Sequence, residues 1–384
     1  MSARSTSDEG GGATVHGDAG TIVAIETAAV SLHANPKLAV RGARGSHDSS
    51  DFLLVKVATS MGVIGYGEVS ATLRWSGEDA TSANDAIKRV LGPAVIGQPL
   101  HPVTGLALRM DLALAGNPFT KAGLESALWD ALGKTWGLRV VDLLGGPHRT
   151  EVPTKMSLSG DGDRLVTVIE AVRALGFRAH KVKVGLTPAS DIARFKLARE
   201  ICGDDAFLGA DSNGGWSRID AMIAIAGLTA YGPAFIEQPT QPRDLDGMAA
   251  CRAFGIPVLA DEAVYSLDDV VAIINGEAAD ALNVYVGKAS GIERAVRQMR
   301  TAAAFGMLSI LGSNGEMGLG AAAQIHAACA VERLAPFPSD IIGHHYYDED
   351  ILETPLDIDG TVARLPSGPG LGVEPNATIR GRFA

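Results

Sequence analysis

Three acids follow short apolar runs along the chain: Asp211 after FLGA, Glu237 after AFI and Asp261 after PVLA. Each is separated from the next by about the length of one strand plus one helix. Adjacent parallel strands would therefore end in three carboxylates at one mouth of a closed sheet, where the active sites of such barrels lie. Three oxygen donors without His or Cys suit a hard cation, Mg²⁺ or Mn²⁺ in its place, that keeps positions for water or substrate. A single Asp there would serve equally to cap the next helix; the recurrence at one strand position is what points to a metal. Earlier in the chain, HKVKVG alternates Lys181 with Lys183, so both side chains share one face of a strand. Inside a barrel mouth, two desolvated ammonium groups lower each other's pKa toward the range of a general base. On an exterior edge strand both would reach water instead.

These residues need elements to position them. From Thr21 to about Ser70, TIVAIETAAVSL, DFLLVKVAT and GVIGYGEVS read as an antiparallel meander. Ala- and Leu-rich helical stretches follow, among them NDAIKRVLGPAVIG and TKAGLESALWDALGK, which together make an α+β domain over 21–135. Beyond Glu151, eight short apolar runs alternate with helical segments: PTKMSLSG, RAHKVKVG, AFLGADSN, PAFIEQP, IPVLADEA, DALNVYVG, FGMLSILGSN and SDIIGHHYY. Such alternation implies right-handed crossovers and a parallel sheet, and eight runs imply closure into a barrel over 136–347. An open doubly wound sheet fits less well, because no GxGxxG follows a first strand. The Gly- and Pro-rich segment 348–384 has turn chemistry and is expected to pack back on the N-terminal domain. Residues 1–20 read as a flexible tail without a hydrophobic signal region.

Composition narrows the function classes. The 384 residues carry 33 Lys plus Arg against 44 Asp plus Glu, a net charge of −11, which leaves no electrostatic footprint for nucleic acid or an anionic membrane. Apolar residues at 46% are ample for a large core, and no run reaches the roughly 18 apolar residues of a membrane helix. The 3 cysteines are scattered, which argues against a disulfide framework or zinc site. A cytoplasmic enzyme acting on a small molecule is the expectation.

The order HKVKVG, DSN (Asp211 to Asn213), EQP (Glu237 to Pro239) and DE (Asp261, Glu262) resembles the enolase superfamily. Within it the muconate lactonizing enzyme (muconate cycloisomerase) subgroup of the mandelate racemase/muconate lactonizing enzyme proteins is most similar, and GYGEVS, PSDIIG and GPGLGVE extend the likeness over most of 21–375. The resemblance implies a modified TIM barrel, (β/α)7β, with an N-terminal α+β capping domain completed by the C-terminal segment. It implies Mg²⁺ on Asp211, Glu237 and Asp261, and removal of the proton α to a small carboxylate substrate through an enediolate. Lys183 is similar in position to the family's base, with Lys181 as its electrostatic neighbour. Relatives commonly form dimers or octamers, so a homo-oligomer is expected.

One position departs from the pattern. Relatives of this subgroup usually carry a second lysine on the sixth strand, where DALNVYVGKASG places Tyr285. Lys288 falls in the loop beyond, of opposite strand parity, so it could substitute only through a bulge. A phenol is a poor base at neutral pH but a good hydrogen-bond donor. Single-base cycloisomerisation or elimination by Lys183, with Tyr285 orienting substrate, is therefore the expected chemistry. Two-base racemisation or epimerisation of an amino-acid derivative or dipeptide, acid dehydration, and a withered metal- and ligand-binding protein are the alternatives. A Schiff-base aldolase would have no use for the three acids. Further substrate-binding candidates are Asn213, Glu262, Lys288, Glu316, Asp340 and, from the capping loops RGSHDSS and ATLRWSGED, Arg74 and Trp75.

Overall fold

The computed structural model describes residues 17–39, 41–42, 45–46 and 49–383. The expected tail lies outside the described residues as far as residue 16, as do Arg44, His47 and Asp48 of the first capping loop. Three antiparallel strands, β1 (Ile22–His33), β2 (Ser49–Thr59) and β3 (Ile64–Ser70), form a sheet with β2 central. Helices α1 (Val103–Ala113) and α2 (Pro118–Trp136) follow. Gly65 and Gly67 alternate on the face of β3 that meets α2. A Cβ at Gly65 would lie 2.2 Å from the Ala127 carbonyl, and one at Gly67 would lie 2.1 Å from that of Gly123. Only glycine permits this approach, and it leaves α2 buried on every face from Phe119 to Gly133.

The second part is a parallel sheet of β4 (Met156–Leu158), β5 (Ala179–Lys183), β6 (Phe207–Asp211), β7 (Ile236–Glu237), β8 (Val258–Ala260), β9 (Ala281–Val284) and β10 (Leu308–Leu311), ordered as in the sequence. A helix follows each strand: α3 (Asp163–Ala174), α4 (Pro188–Cys202), α5 (Arg218–Leu228), α6 (Leu245–Cys251), α7 (Leu267–Asn275), α8 (Ile292–Ala304) and α9 (Gly318–Ala330). The eighth position is filled by the segment around Ser339, which bridges Thr154 in parallel while the Asp340 N–H donates to the Leu311 carbonyl. This is the (β/α)7β arrangement. Phe235, Leu259, Ala281, Ile310 and Ala335 plug the barrel interior, with Phe207 and Phe337 against them. Among the described residues no helix is long and apolar enough to cross a membrane.

The chain beyond the barrel returns to the first domain. The Leu371 N–H donates to Asp130 on α2, Glu374 pairs with Lys134, and the Phe383 ring lies against Tyr66 of β3.

Two buried glutamates join the domains by a different device. Helices α8 and α9 have no side-chain cap of their own. Glu68 of β3 accepts the N–H groups of Met317 (2.6 Å) and Gly320 (3.0 Å) at the start of α9, and Glu125 of α2 accepts those of Ile292 (2.8 Å) and Glu293 (3.3 Å) at the start of α8. The first domain thus supplies the caps for two barrel helices, satisfying orphan donors at the positive ends of their dipoles.

Burial pushes the Glu68 carboxyl up to about 8 and that of Glu125 up to about 7, with the N–H donors opposing the rise. Between the ordinary carboxyl value and these raised values, the folded chain holds protons that the unfolded chain has released, so stability falls as pH rises. The urea midpoint is expected to be higher near about pH 5 than near about pH 8.5, and Glu68→Gln with Glu125→Gln should flatten that slope. An equally steep fall in the double variant would rule these two groups out as its source.

Candidate active site

Strand register assembles the charged centre. Lys183 stands opposite Asp211, and Asp211 opposite Glu237, so three chemically active side chains form a row across β5, β6 and β7. Lys181, one alternation earlier on β5, points into the same interior. Its Nζ lies 2.8 Å from Glu237 Oε1, 3.1 Å from Asp340 Oδ2 and 3.4 Å from Asp211 Oδ2. Lys183 Nζ donates to Asp211 Oδ2 (2.6 Å) and Asn213 Oδ1 (3.1 Å). Asp340, on the closing segment, also binds Lys155 Nζ at 3.0 Å. Sequence reasoning missed Lys155, although a lone lysine inside the apolar first run was the available signal.

The electrostatics differ from the expectation that paired lysines depress each other. Burial does act to lower both and is the largest single influence on Lys183, but Asp211 and Glu237 together prevail over it and Lys181, and the Lys183 pKa is raised. Asp340, Glu237 and Asp211 hold Lys181 well above the ordinary lysine value against the same burial. Asp211 is lowered: burial would raise it, and Lys183 with Lys181 prevails. Glu237 is raised by burial and by Asp211, Asp261 and Asp340, despite Lys181. The expectation treated the lysines as a pair, whereas the structure surrounds them with acids.

The third acid is held from β9 and its loop. The Tyr285 hydroxyl donates to Asp261 Oδ2 at 2.9 Å, and Lys288 Nζ binds Asp261 Oδ1, its backbone carbonyl (2.7 Å) and the Asn283 carbonyl (3.0 Å). The parity argument against Lys288 fails because β9 ends at Val284, and a tight turn, not a bulge, carries Lys288 back into the interior. Its Nζ lies 3.9 Å from the centre of the Tyr285 ring. Trp75 stacks on that ring, centroids 5.3 Å apart and planes at 9°, and the same Nζ lies 5.8 Å from the centre of the Trp75 ring. Gln238, unremarked in the EQP motif, adopts φ 39° and accepts the N–H groups of Asp261 (2.9 Å) and Ala263 (3.1 Å), fixing the end of β8.

A cavity of about 820 Å³, including its open mouth, lies over this centre. Lys183, Asn213, Tyr285 and Trp75 line it, joined by Tyr346 and Tyr347 from beyond the closing segment. Sequence reasoning missed these two tyrosines, although their place soon after the eighth run, at the barrel mouth, was the available signal. Arg74 is exposed against Gly45 and is not among the described lining residues. Glu316 is buried below the mouth, where it accepts from Ser313, Asn314 and Gln324 and shapes the loop instead of lining the cavity. Glu262 accepts from Asn213 Nδ2 at 3.0 Å. Asp340 and Lys288 lie deeper than the cavity wall and hold other charged groups.

The donor set matches a hard divalent cation: three buried carboxylates on neighbouring strands offer only oxygen, and Glu237 Oε2 is buried with no hydrogen-bond partner. As the side chains stand, no three His, Cys, Asp or Glu among the described residues converge into a complete metal cage. Each of the three carboxylates meets a lysine ammonium group: Lys183 on Asp211, Lys181 on Glu237 and Lys288 on Asp261.

Comparison with known proteins agrees with this geometry. Residues 24–145 match the model of the mandelate racemase / muconate lactonizing enzyme N-terminal domain, and residues 164–379 match the enolase C-terminal domain-like model. The chain is 34% identical to the chloromuconate cycloisomerase of Cupriavidus pinatubonensis, over 88% of this chain and 92% of that protein. It is 31% identical to the N-succinyl-L-Arg/Lys racemase of Bacillus cereus, over 86% and 90%. The crystal structure of the muconate lactonizing enzyme from Pseudomonas fluorescens complexed with muconolactone superposes with a TM-score of 0.89 at 28% identity, covering 95% of this chain and 100% of that one.

Gly312 makes room for the tyrosine: a Cβ there would lie 1.9 Å from Tyr285 Cε1 and 2.4 Å from Asn283 Oδ1. Gly312→Ala is therefore expected to push Tyr285 off Trp75 and to cost about 1–3 kcal/mol of stability, as overpacked cores do. Trp75 fluorescence and the urea midpoint read the two effects, and a variant with both unchanged would disprove the fit.

Proposed function

The chain belongs to the mandelate racemase/muconate lactonizing enzyme family of the enolase superfamily and is an enzyme of that group, and from that premise we propose that it removes the proton α to a substrate carboxylate from one face only, as a Mg²⁺-dependent, muconate cycloisomerase-like isomerase or lyase. The observation that carries this reading is the asymmetry of the cavity. Among the described lining residues Lys183 is the one ammonium group, and the side marked by Tyr285 offers a phenol whose proton is committed to Asp261.

Asp211, Glu237 and Asp261 are the residues that would hold the cation. When bound, the cation supplies positive charge that offsets the negative charge growing on the substrate carboxylate and that relieves Lys183 of the acids now keeping it protonated. Lys183, as the free amine, takes the α-proton on Nζ, and the C–H electron pair passes into the carboxylate as an enediolate. Asn213 fixes the Lys183 ammonium through its Oδ1, and Lys181 stays charged below, where Glu237 and Asp340 hold it. In a cycloisomerisation run toward ring opening, the enediolate pair forms the new C=C bond as the ring C–O pair leaves on the oxygen as a carboxylate, and the proton on Lys183 passes to solvent; run toward closure, the carboxylate oxygen adds to the C=C bond and Lys183 gives its proton to the α-carbon. Trp75 and Tyr285 close the opposite side of the site as a stacked wall.

The racemases among the relatives make epimerisation the competing reading, and it needs a proton acceptor on each face. The Tyr285 hydroxyl is held as a donor to Asp261 Oδ2 at 2.9 Å, which makes it an unsuitable second base.

The test is α-proton exchange in D₂O followed by NMR, across muconates, lactones, N-acyl amino acids, dipeptides and hydroxy acids, with Mg²⁺ and with chelator. Exchange from a single face is expected, lost with chelator and reduced about 10²–10⁴-fold in Lys183→Ala, the range for a removed general base. Deuterium appearing on both faces would replace this reading with epimerisation.

A further inference from the structure

Tyr285 stands at the cavity wall, yet the direction of its hydroxyl assigns it elsewhere. Its proton goes to Asp261 Oδ2 at 2.9 Å, and the hydroxyl is buried with the rest of the side chain. Three contacts hold the ring in that pose: the parallel Trp75 indole on one face, Lys288 Nζ at 3.9 Å, and Gly312 at the edge, where no side chain would fit. A phenol so held cannot swing to a substrate atom without breaking a stack and a charge-assisted hydrogen bond.

Asp261 is held correspondingly. Lys288 fixes Oδ1 and the backbone carbonyl, Gln238 fixes the backbone N–H, and Tyr285 fixes Oδ2. Two side chains thus hold the two carboxylate oxygens, one each, while Lys288 and Gln238 fix the backbone from which the carboxylate projects. An ionised carboxylate has about four acceptor sites on its two oxygens, so each oxygen of Asp261 keeps a site for a further partner after these bonds are made. Asp211 and Glu237 are fixed by other groups: Lys183 and Asn213 hold Asp211, and Lys181 and Asn283 hold Glu237.

We infer that Tyr285 is a positioning residue for the divalent cation: its hydroxyl orients Asp261 as the third carboxylate ligand, and it neither gives nor takes a proton at the substrate. The inference rests on the reading of Asp211, Glu237 and Asp261 as the cation's ligands. It also gives a reason for a phenol at the end of β9, since a tyrosine there couples the ligand to the capping loop through Trp75. Partners that orient a ligand in this way usually change metal affinity by about 10–100-fold when removed.

Mn²⁺ binding to the full chain, measured by the EPR signal of free Mn²⁺ in the absence of any substrate, tests it in three proteins. Tyr285→Phe keeps the ring and its stack on Trp75 and removes only the hydroxyl, so its thermal midpoint should stay within a few degrees of the parent. Its Mn²⁺ dissociation constant is expected to rise about 10–100-fold, whereas a structural role would move the midpoint and not the affinity. Asp261→Asn is expected to lose tight binding altogether. Binding unchanged or tighter in Tyr285→Phe, with Asp261→Asn still defective, would overturn the positioning role and leave the ligand assignment standing. No tight Mn²⁺ binding by the parent, or full binding by Asp261→Asn, would overturn both.

Discussion

Lys155, Lys181, Lys183 and Lys288 share the interior of one barrel mouth with Asp211, Glu237, Asp261 and Asp340, nearly all of them out of contact with water. Ions taken from water cost several kcal/mol apiece unless each finds a partner at hydrogen-bond distance. That requirement constrains everything around the site. It explains why β5, β6 and β7 must keep their register, since a slip of one residue would turn Lys183, Asp211 and Glu237 into the helix layer. It explains the closing segment too, because Asp340 is the acid that separates Lys155 from Lys181. One oxygen of Glu237 is left without a partner, which is a costly gap in such a network.

The capping domain meets the same constraint with the opposite chemistry. Glu68 and Glu125 have no ammonium partner among the described residues and instead receive backbone N–H groups at the starts of α9 and α8. Those two helices follow the strands that carry Tyr285 and the Ser313–Gly315 loop. The caps therefore tie the first domain to the part of the barrel that forms the cavity wall. Trp75 on one side and the Asn314 to Ser70 hydrogen bond, at 3.0 Å, on the other join the cap to the barrel directly above the charged centre.

Family membership and local geometry bear on different questions. The first makes the chain an enzyme of the enolase superfamily and fixes the barrel with its cap. The second is particular to this chain, in which a tyrosine occupies the end of β9 and spends its hydroxyl on an acid. A fold supports many chemistries, and the reaction is decided by which groups face the substrate.

Strand alternation needs no tertiary information, so the shared direction of Lys181 and Lys183 followed from HKVKVG, and the repeated strand-end acids followed from their spacing. The same period-2 and helical rhythms yielded eight barrel segments, of which the last, around Ser339, is so short that only its hydrogen bonds reveal it. What lay beyond reach was every contact made by a loop or by a residue distant in the chain. Lys288 was judged by strand parity, but a turn obeys no such alternation. Lys155 meets Asp340 only because the barrel closes, and Arg74 leaves the cavity while Trp75, its neighbour, enters it. The charge state of the lysines followed the same division: like charges adjacent in sequence suggested depression, and acids brought in from four other strands reversed it. Residue spacing along regular elements is a local property and the sequence carries it, whereas loop paths and the net field at a buried atom depend on the whole packed chain.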